Sequence, residues 1–121
     1  MITTQKILGD HGEALVEQFI RKNNFKVIAK NYRQRHGEID LIATHKEIVA
    51  FIEVKTRTNP TIAPSTAITT SKQRRIFLTA KSFIAEHKLY EKVLRFDVAL
   101  ISIVNNQPKL EYITNAFVPS L

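Results

Sequence analysis

The sequence predicts an α/β fold in which helices pack against one mixed sheet. Three observations predict it. Apolar residues recur at helical spacing in two separate stretches, residues 4–23 and 71–87. Strand-length runs rich in apolar and β-branched residues lie between and after them, at 25–32, 37–43, 47–56, 96–104 and 110–113. Short polar breaks separate most of these runs. The order is therefore αβββαββ, and a chain of 121 residues suits one domain spanning 1–121.

In the first helix Leu8, Leu15 and Phe19 lie on one side, with Val16 and Ile20 beside them. Gly9 and Gly12 weaken it but let another backbone approach. Asn23-Asn24 is its expected stop. Thr44-His45-Lys46 makes a turn-length break, so the second and third strands read as a hairpin. Ile48-Val49-Ala50-Phe51-Ile52 is apolar on both faces, as in a central strand covered on both sides. Residues 58–69 carry Pro60 and Pro64 without periodicity and read as a long loop. Ile76, Phe77, Ala80, Phe83 and Ile84 mark the buried face of the second helix, with Thr70 or Ser71 as its cap. Asn105-Asn106-Gln107-Pro108 is the turn between the last two strands.

Composition narrows the function classes. Without cysteine there is neither a disulfide framework nor a thiolate metal site. A metal would have to be held by carboxylates, carbonyls or imidazoles. Lys and Arg outnumber Asp and Glu by 18 to 11, a formal charge of +7 that suits a polyanionic partner as well as simple solubility. No apolar run reaches the ~20 residues of a membrane span, and residues 1–12 lack the apolar stretch of a signal peptide. The expected location is the cytoplasm, away from membranes.

The chemistry concentrates in Gly37-Glu38-Ile39-Asp40-Leu41-Ile42 and Phe51-Ile52-Glu53-Val54-Lys55. Side chains alternate along a strand, so Glu53 and Lys55 project from one face. Asp40 lies on the neighbouring strand of the hairpin, about 5 Å away, and can converge with Glu53. Two carboxylates in an apolar sheet repel; they take up a proton or recruit a cation. A hard divalent cation, Mg²⁺ or Mn²⁺, suits oxygen ligands, and the Val54 carbonyl would add one. The Lys55 ammonium would position a water and stabilise charge on a phosphate. Such a set performs metal-assisted phosphodiester hydrolysis. The plainer alternative is a solvated Glu53/Lys55 pair on the sheet surface, although Glu53 ends an apolar run where a surface charge is out of place.

These residues resemble the PD-(D/E)XK nuclease motif of the restriction-endonuclease-like fold, whose core order αβββαβ is also similar. More narrowly, Gly37–Ile42, Phe51-Ile52-Glu53-Val54-Lys55-Thr56-Arg57 and Arg95-Phe96-Asp97-Val98 resemble the YraN-like bacterial family, itself similar in fold to Holliday-junction resolvases. The proline that often precedes the first acid is replaced by Ile39. The resemblance implies a nuclease-like fold over most of the chain and a divalent metal at Asp40, Glu53 and Val54. It implies that Glu13, on the first helix, assists that metal through water; a helix-surface glutamate is the alternative. It also implies that Lys72 or Gln73, opening the second helix, faces the site, against the alternative of a polar first turn.

Arg33, Arg35, Arg57, Lys72 and Gln73 are the candidate nucleic-acid contacts, since such groups set register on a phosphate backbone. Helical spacing is expected to turn Arg74 and Arg75 away from Lys72. Glu38 shares a face with Asp40, as a supporting carboxylate or an edge charge. Tyr32 among Lys30, Arg33 and Arg35 is either a stacking edge or part of an ordinary amphipathic strand. Asp97 is expected to be structural, paired with a basic residue, and the four histidines to be solvated. Three readings follow: a divalent-metal endonuclease on DNA, branched or single-stranded; a non-catalytic accessory that binds nucleic acid; and an adaptor with an inherited pocket. A carboxylate pair is costly to keep without use, and the basic balance disfavours the adaptor. Cutting a junction would require two-fold symmetry, so a homodimer is expected under that reading, although no segment marks a dimer face.

Overall fold

The computed structural model describes residues 4–57 and 68–119, with side chains from residue 9 onward. The chain runs α1 (Thr4–Lys22), β1 (Lys26–Gln34), β2 (Gly37–His45), β3 (Ile48–Arg57), α2 (Thr70–His87), β4 (Val93–Val104) and β5 (Gln107–Ile113). This is the αβββαββ order expected from the sequence. The five strands lie in sequence order across one sheet. The β3–β4 pair is parallel and the others are antiparallel, because α2 returns the chain over one face before β4 begins. A mixed sheet flanked by two helices in this order is consistent with a restriction-endonuclease-like core.

β3 is the centre of the sheet because it can be buried on both sides. Phe51 and Val49 pack toward α2 with Ile42, Phe83, Phe96 and Leu100. Ala50 and Ile52 pack toward α1 with Val16, Ile20, Ala43 and Ile101. Each buried Val, Leu, Ile or Phe among them contributes about 1.5–3 kcal/mol by leaving water. On α1 the buried line is Gly12, Val16 and Ile20, four residues apart, while Leu15 and Phe19 flank it and Phe19 is exposed. The centre of that face is therefore turned from the one expected, and Leu8 falls outside the described side chains. Gly12 explains the turn: a Cβ there would meet Ile101 Cγ1 at 3.1 Å, so the helix lies closest to the sheet at this point.

Several boundaries moved for local reasons. The β2–β3 turn is Lys46-Glu47, with Lys46 left-handed at φ 53°, so Thr44 and His45 belong to β2. α2 is capped by Thr69, not Thr70 or Ser71: its hydroxyl accepts the Lys72 N–H. Only Asn105 and Asn106 form the last turn, both at positive φ, and Gln107 and Pro108 already pair in β5. Most of the expected loop, 58–67, lies outside the described residues.

Candidate active site

The hairpin register ends at Leu41↔Ile52. One step further the same register would set Asp40 opposite Glu53, but the ladder stops short of it for a visible reason. Ile39 and Ile42 both pack into the α2-side core, whereas Leu41 and Ala43 pack toward α1. The alternation therefore slips once, at Asp40. The Asp40 carboxylate lies in the opening between the strands, where Oδ2 accepts the Val54 N–H at 2.8 Å. It replaces the backbone acceptor that a continued ladder would have supplied. In an extended strand a residue's N–H and C=O point to the same neighbour, so the Val54 carbonyl faces the same opening.

Glu53 is 7% exposed, one of four buried polar or charged residues among those described. Its carboxyl group is in hydrogen-bonding contact with that of Asp40. Burial raises the pKa of both acids, and the Asp40 charge raises Glu53 further. The Val54 N–H and the Lys72 ammonium act in the opposite direction. Lys72 Nζ reaches Glu53 Oε1 at 2.6 Å. Glu13 approaches from the α1 side: burial, then Asp40, Asp10, Glu17 and Glu38 raise its pKa. The Glu13 charge thus interacts with that of Asp40, although Glu13 is not among the residues that line the cleft.

Asp40 and Glu53 line a cleft of about 290 Å³ together with Glu38, Lys72 and Arg75, with Gly37 and Ile76 behind them. Arg75 was expected to turn away; it is three residues beyond Lys72, and residues at that spacing share a helix face. The same spacing, read differently, would have found it. Lys55 follows Glu53 on the strand face but is exposed and lies outside the cleft lining. Arg33 is exposed and pairs with Glu38 at 3.4 Å, which keeps it at the rim. Arg35 is exposed in the β1–β2 turn. Arg57 donates to Ser102 at 3.0 Å and pairs with Glu111 at 3.2 Å, and it is not among the residues that line the cleft. Gln73 donates to the Ile68 carbonyl at 3.1 Å and braces the start of α2.

Other residues settle into structural roles. Asp97 is fully buried and accepts from Arg95, the Tyr112 hydroxyl at 2.6 Å and the Asn115 N–H at 2.8 Å. This is the basic partnership expected for it, extended by a tyrosine that gave no sequence signal. Tyr32 is half-buried edge-on against Phe83 and donates to Glu86 at 2.8 Å, which favours the amphipathic-strand reading over an open stacking edge. Two histidines expected to be solvated carry ring contacts: His45 beside Phe25 and His87 stacked on Phe83.

Residues 12–101 match the family model described as Uncharacterised protein family UPF0102. The chain belongs to this family. A UPF0102 protein of Alkaliphilus metalliredigens is 41% identical over 113 residues, covering 93% of this chain and 98% of the relative. One from Geobacter metallireducens is 37% identical over 113 residues, 93% of each chain. One from Clostridium perfringens is 39% identical over 115 residues, 93% of this chain and 94% of the relative. The matched span of the family model contains the hairpin, its acids and α2, so the UPF0102 segment carries the whole cleft.

The donor set can be tested against a divalent cation. Two carboxylates and one backbone carbonyl face a single opening, and all are hard oxygen donors. Mg²⁺ is commonly held by one or two carboxylates while it keeps several waters. The residues therefore fit such an ion. Among the described residues no group of three or more His, Asp or Glu side chains is arranged to hold a metal, so water would complete the shell. Among the described residues no helix is long and apolar enough to cross a membrane.

Proposed function

We infer that this UPF0102 protein is a divalent-metal-dependent phosphodiester hydrolase acting on nucleic acid, with DNA as the expected polymer. The observation that carries the reading is the contact between the Asp40 and Glu53 carboxyl groups in a cleft edged by Lys72 and Arg75. Asp40, Glu53 and the Val54 carbonyl would hold Mg²⁺ or Mn²⁺. When bound, that ion supplies a Lewis acid for the phosphoryl oxygens and acidifies a water.

The chain's own residues do the rest. The Val54 N–H fixes the rotamer of Asp40 and so the aim of its free oxygen. Burial of Glu53 removes competing solvent and strengthens each electrostatic contact it makes. Glu13, whose charge interacts with that of Asp40, would orient a water from the α1 side. Lys72 and Arg75 place positive charge where phosphate oxygens would enter, and charge of that sign stabilises a phosphoryl-transfer transition state. Arg33 at the rim suits a neighbouring phosphate, a contact that positions without reading sequence. A cleavage panel of linear, nicked, flapped and four-way DNA with Mg²⁺ or Mn²⁺, run with wild type and Asp40→Asn, tests the reading. Cleavage by wild type alone supports it; no cleavage of any substrate removes it.

The exposure of Lys55 favours a second reading, an accessory module that binds nucleic acid without cutting it. Nucleic-acid binding with neither cleavage nor metal uptake would select that reading.

A further inference from the structure

We propose that Lys72 is a tethered competitor for the cation position: it neutralises Glu53 while no metal is bound and is released into the phosphate side of the cleft when a divalent ion takes the carboxylate. The proposal rests on the metal-dependent reading above. Its observation is separate: Lys72 Nζ lies 2.6 Å from Glu53 Oε1. An ammonium at that distance occupies the approach a metal ligand must leave open, so the two cations cannot hold that oxygen together.

The surroundings favour exchange over permanent pairing. The backbone at Lys72 is fixed, because its N–H is held by the Thr69 cap and Gln73 is tied to Ile68. The side chain is not: it is 42% exposed while its partner is 8% exposed, so the ammonium can return to water and Glu53 cannot. Replacing a single charge by a double one at a buried carboxylate beside a second carboxylate is favourable. The displaced ammonium stays on the cleft wall next to Arg75, because its helix turn does not move. There it would be available to a phosphate group entering the cleft. Lys55 is exposed and is not among the residues that line the cleft.

The test is Mn²⁺ calorimetry on wild type, Lys72→Met and Arg75→Met, with circular dichroism to establish that each is folded. Both changes remove one positive charge from the cleft, but only the first removes the occupant of Glu53. Lys72→Met should bind Mn²⁺ about tenfold or more tightly than wild type, the factor given by about 1.4 kcal/mol of lost competition. Arg75→Met should change affinity less, because among the described residues no ion pair ties Arg75 to Glu53. A second measurement needs no variant at position 72 in the observed state: in ¹³C-dimethyl-lysine wild type, the Lys72 signal, assigned by its loss in Lys72→Met, should shift as Mg²⁺ saturates. Equal Mn²⁺ affinity in Lys72→Met and wild type, or a Lys72 signal unmoved by saturating Mg²⁺, overturns the proposal while leaving a metal site intact. Absence of Mn²⁺ binding in wild type and Lys72→Met alike overturns both the proposal and the function it rests on.

Discussion

Asp40→Asn should stabilise this protein without metal and destabilise it relative to wild type with metal. The two carboxyl groups of the cleft sit in contact, and burial raises both pKa values, with the Asp40 charge adding to the rise at Glu53. An acid whose folded pKa is raised contributes fully below its unfolded value, about pH 4. That contribution is lost as pH climbs through the raised folded value. Once pH has climbed past both raised values, wild type carries a repulsive pair that the amide removes. The amide oxygen can still accept the Val54 N–H, and its NH₂ becomes a donor to Glu53. A hydrogen bond to a charged group contributes about 1.5–3 kcal/mol, discounted here to about 1 kcal/mol because Asp40 is only half-buried. For a chain of 121 residues that is a rise in Tm of about 3–6 °C. With Mn²⁺ at about 100 times its Kd, wild type gains about 2.7 kcal/mol and the variant does not, so the order reverses. Thermal melts at pH 7 with EDTA, at pH 7 with Mn²⁺ and at pH 4 with EDTA read all three arms, and the gain should shrink at pH 4. A variant less stable than wild type in EDTA at pH 7 would refute the repulsion argument. Equal Mn²⁺ stabilisation of both proteins would refute the ligand assignment.

The remaining predictions are structural and electrostatic. Asp97→Ala leaves Arg95, the Tyr112 hydroxyl and the Asn115 N–H without their shared acceptor; urea unfolding should show a loss of about 3–5 kcal/mol, independent of metal, and a loss below about 1 kcal/mol would contradict it. Gly12→Val pushes a branched side chain against Ile101 and should cost about 1–3 kcal/mol by overpacking, read from the same unfolding curves; a neutral change would mean that α1 can move off the sheet. Nucleic-acid affinity should fall steeply between 50 and 200 mM salt, and Arg33→Ala should reduce the log–log salt slope by about 1 without changing sequence preference. An affinity that is flat in salt would point to a different partner.

The sequence by itself determined the order of elements and the central place of β3. Those follow from local periodicity: apolar residues on both faces over five positions allow only a strand covered from two sides. It also placed Asp40 and Glu53 on neighbouring strands of one hairpin, but a turn at Thr44-His45-Lys46 would have set Asp40 beside Ala50; the register that brings it toward Glu53 comes from the turn at Lys46-Glu47. Asp97's need for a basic partner was legible too, since a charge inside an apolar run must be matched. What the tertiary structure decided was which groups complete the site. The slip in alternation at Asp40, which sends its carboxylate to the Val54 N–H, depends on where Ile39 finds room in the α2-side core. The cation at Glu53 is Lys72, brought by a helix from 19 positions along the chain, while Lys55, two residues away in sequence, is exposed. Arg57 is drawn to Glu111 by the β5 pairing, a partner 54 residues distant that no local pattern announces. Local rules fix which residues share a face; only packing of one element on another decides which charges on that face touch.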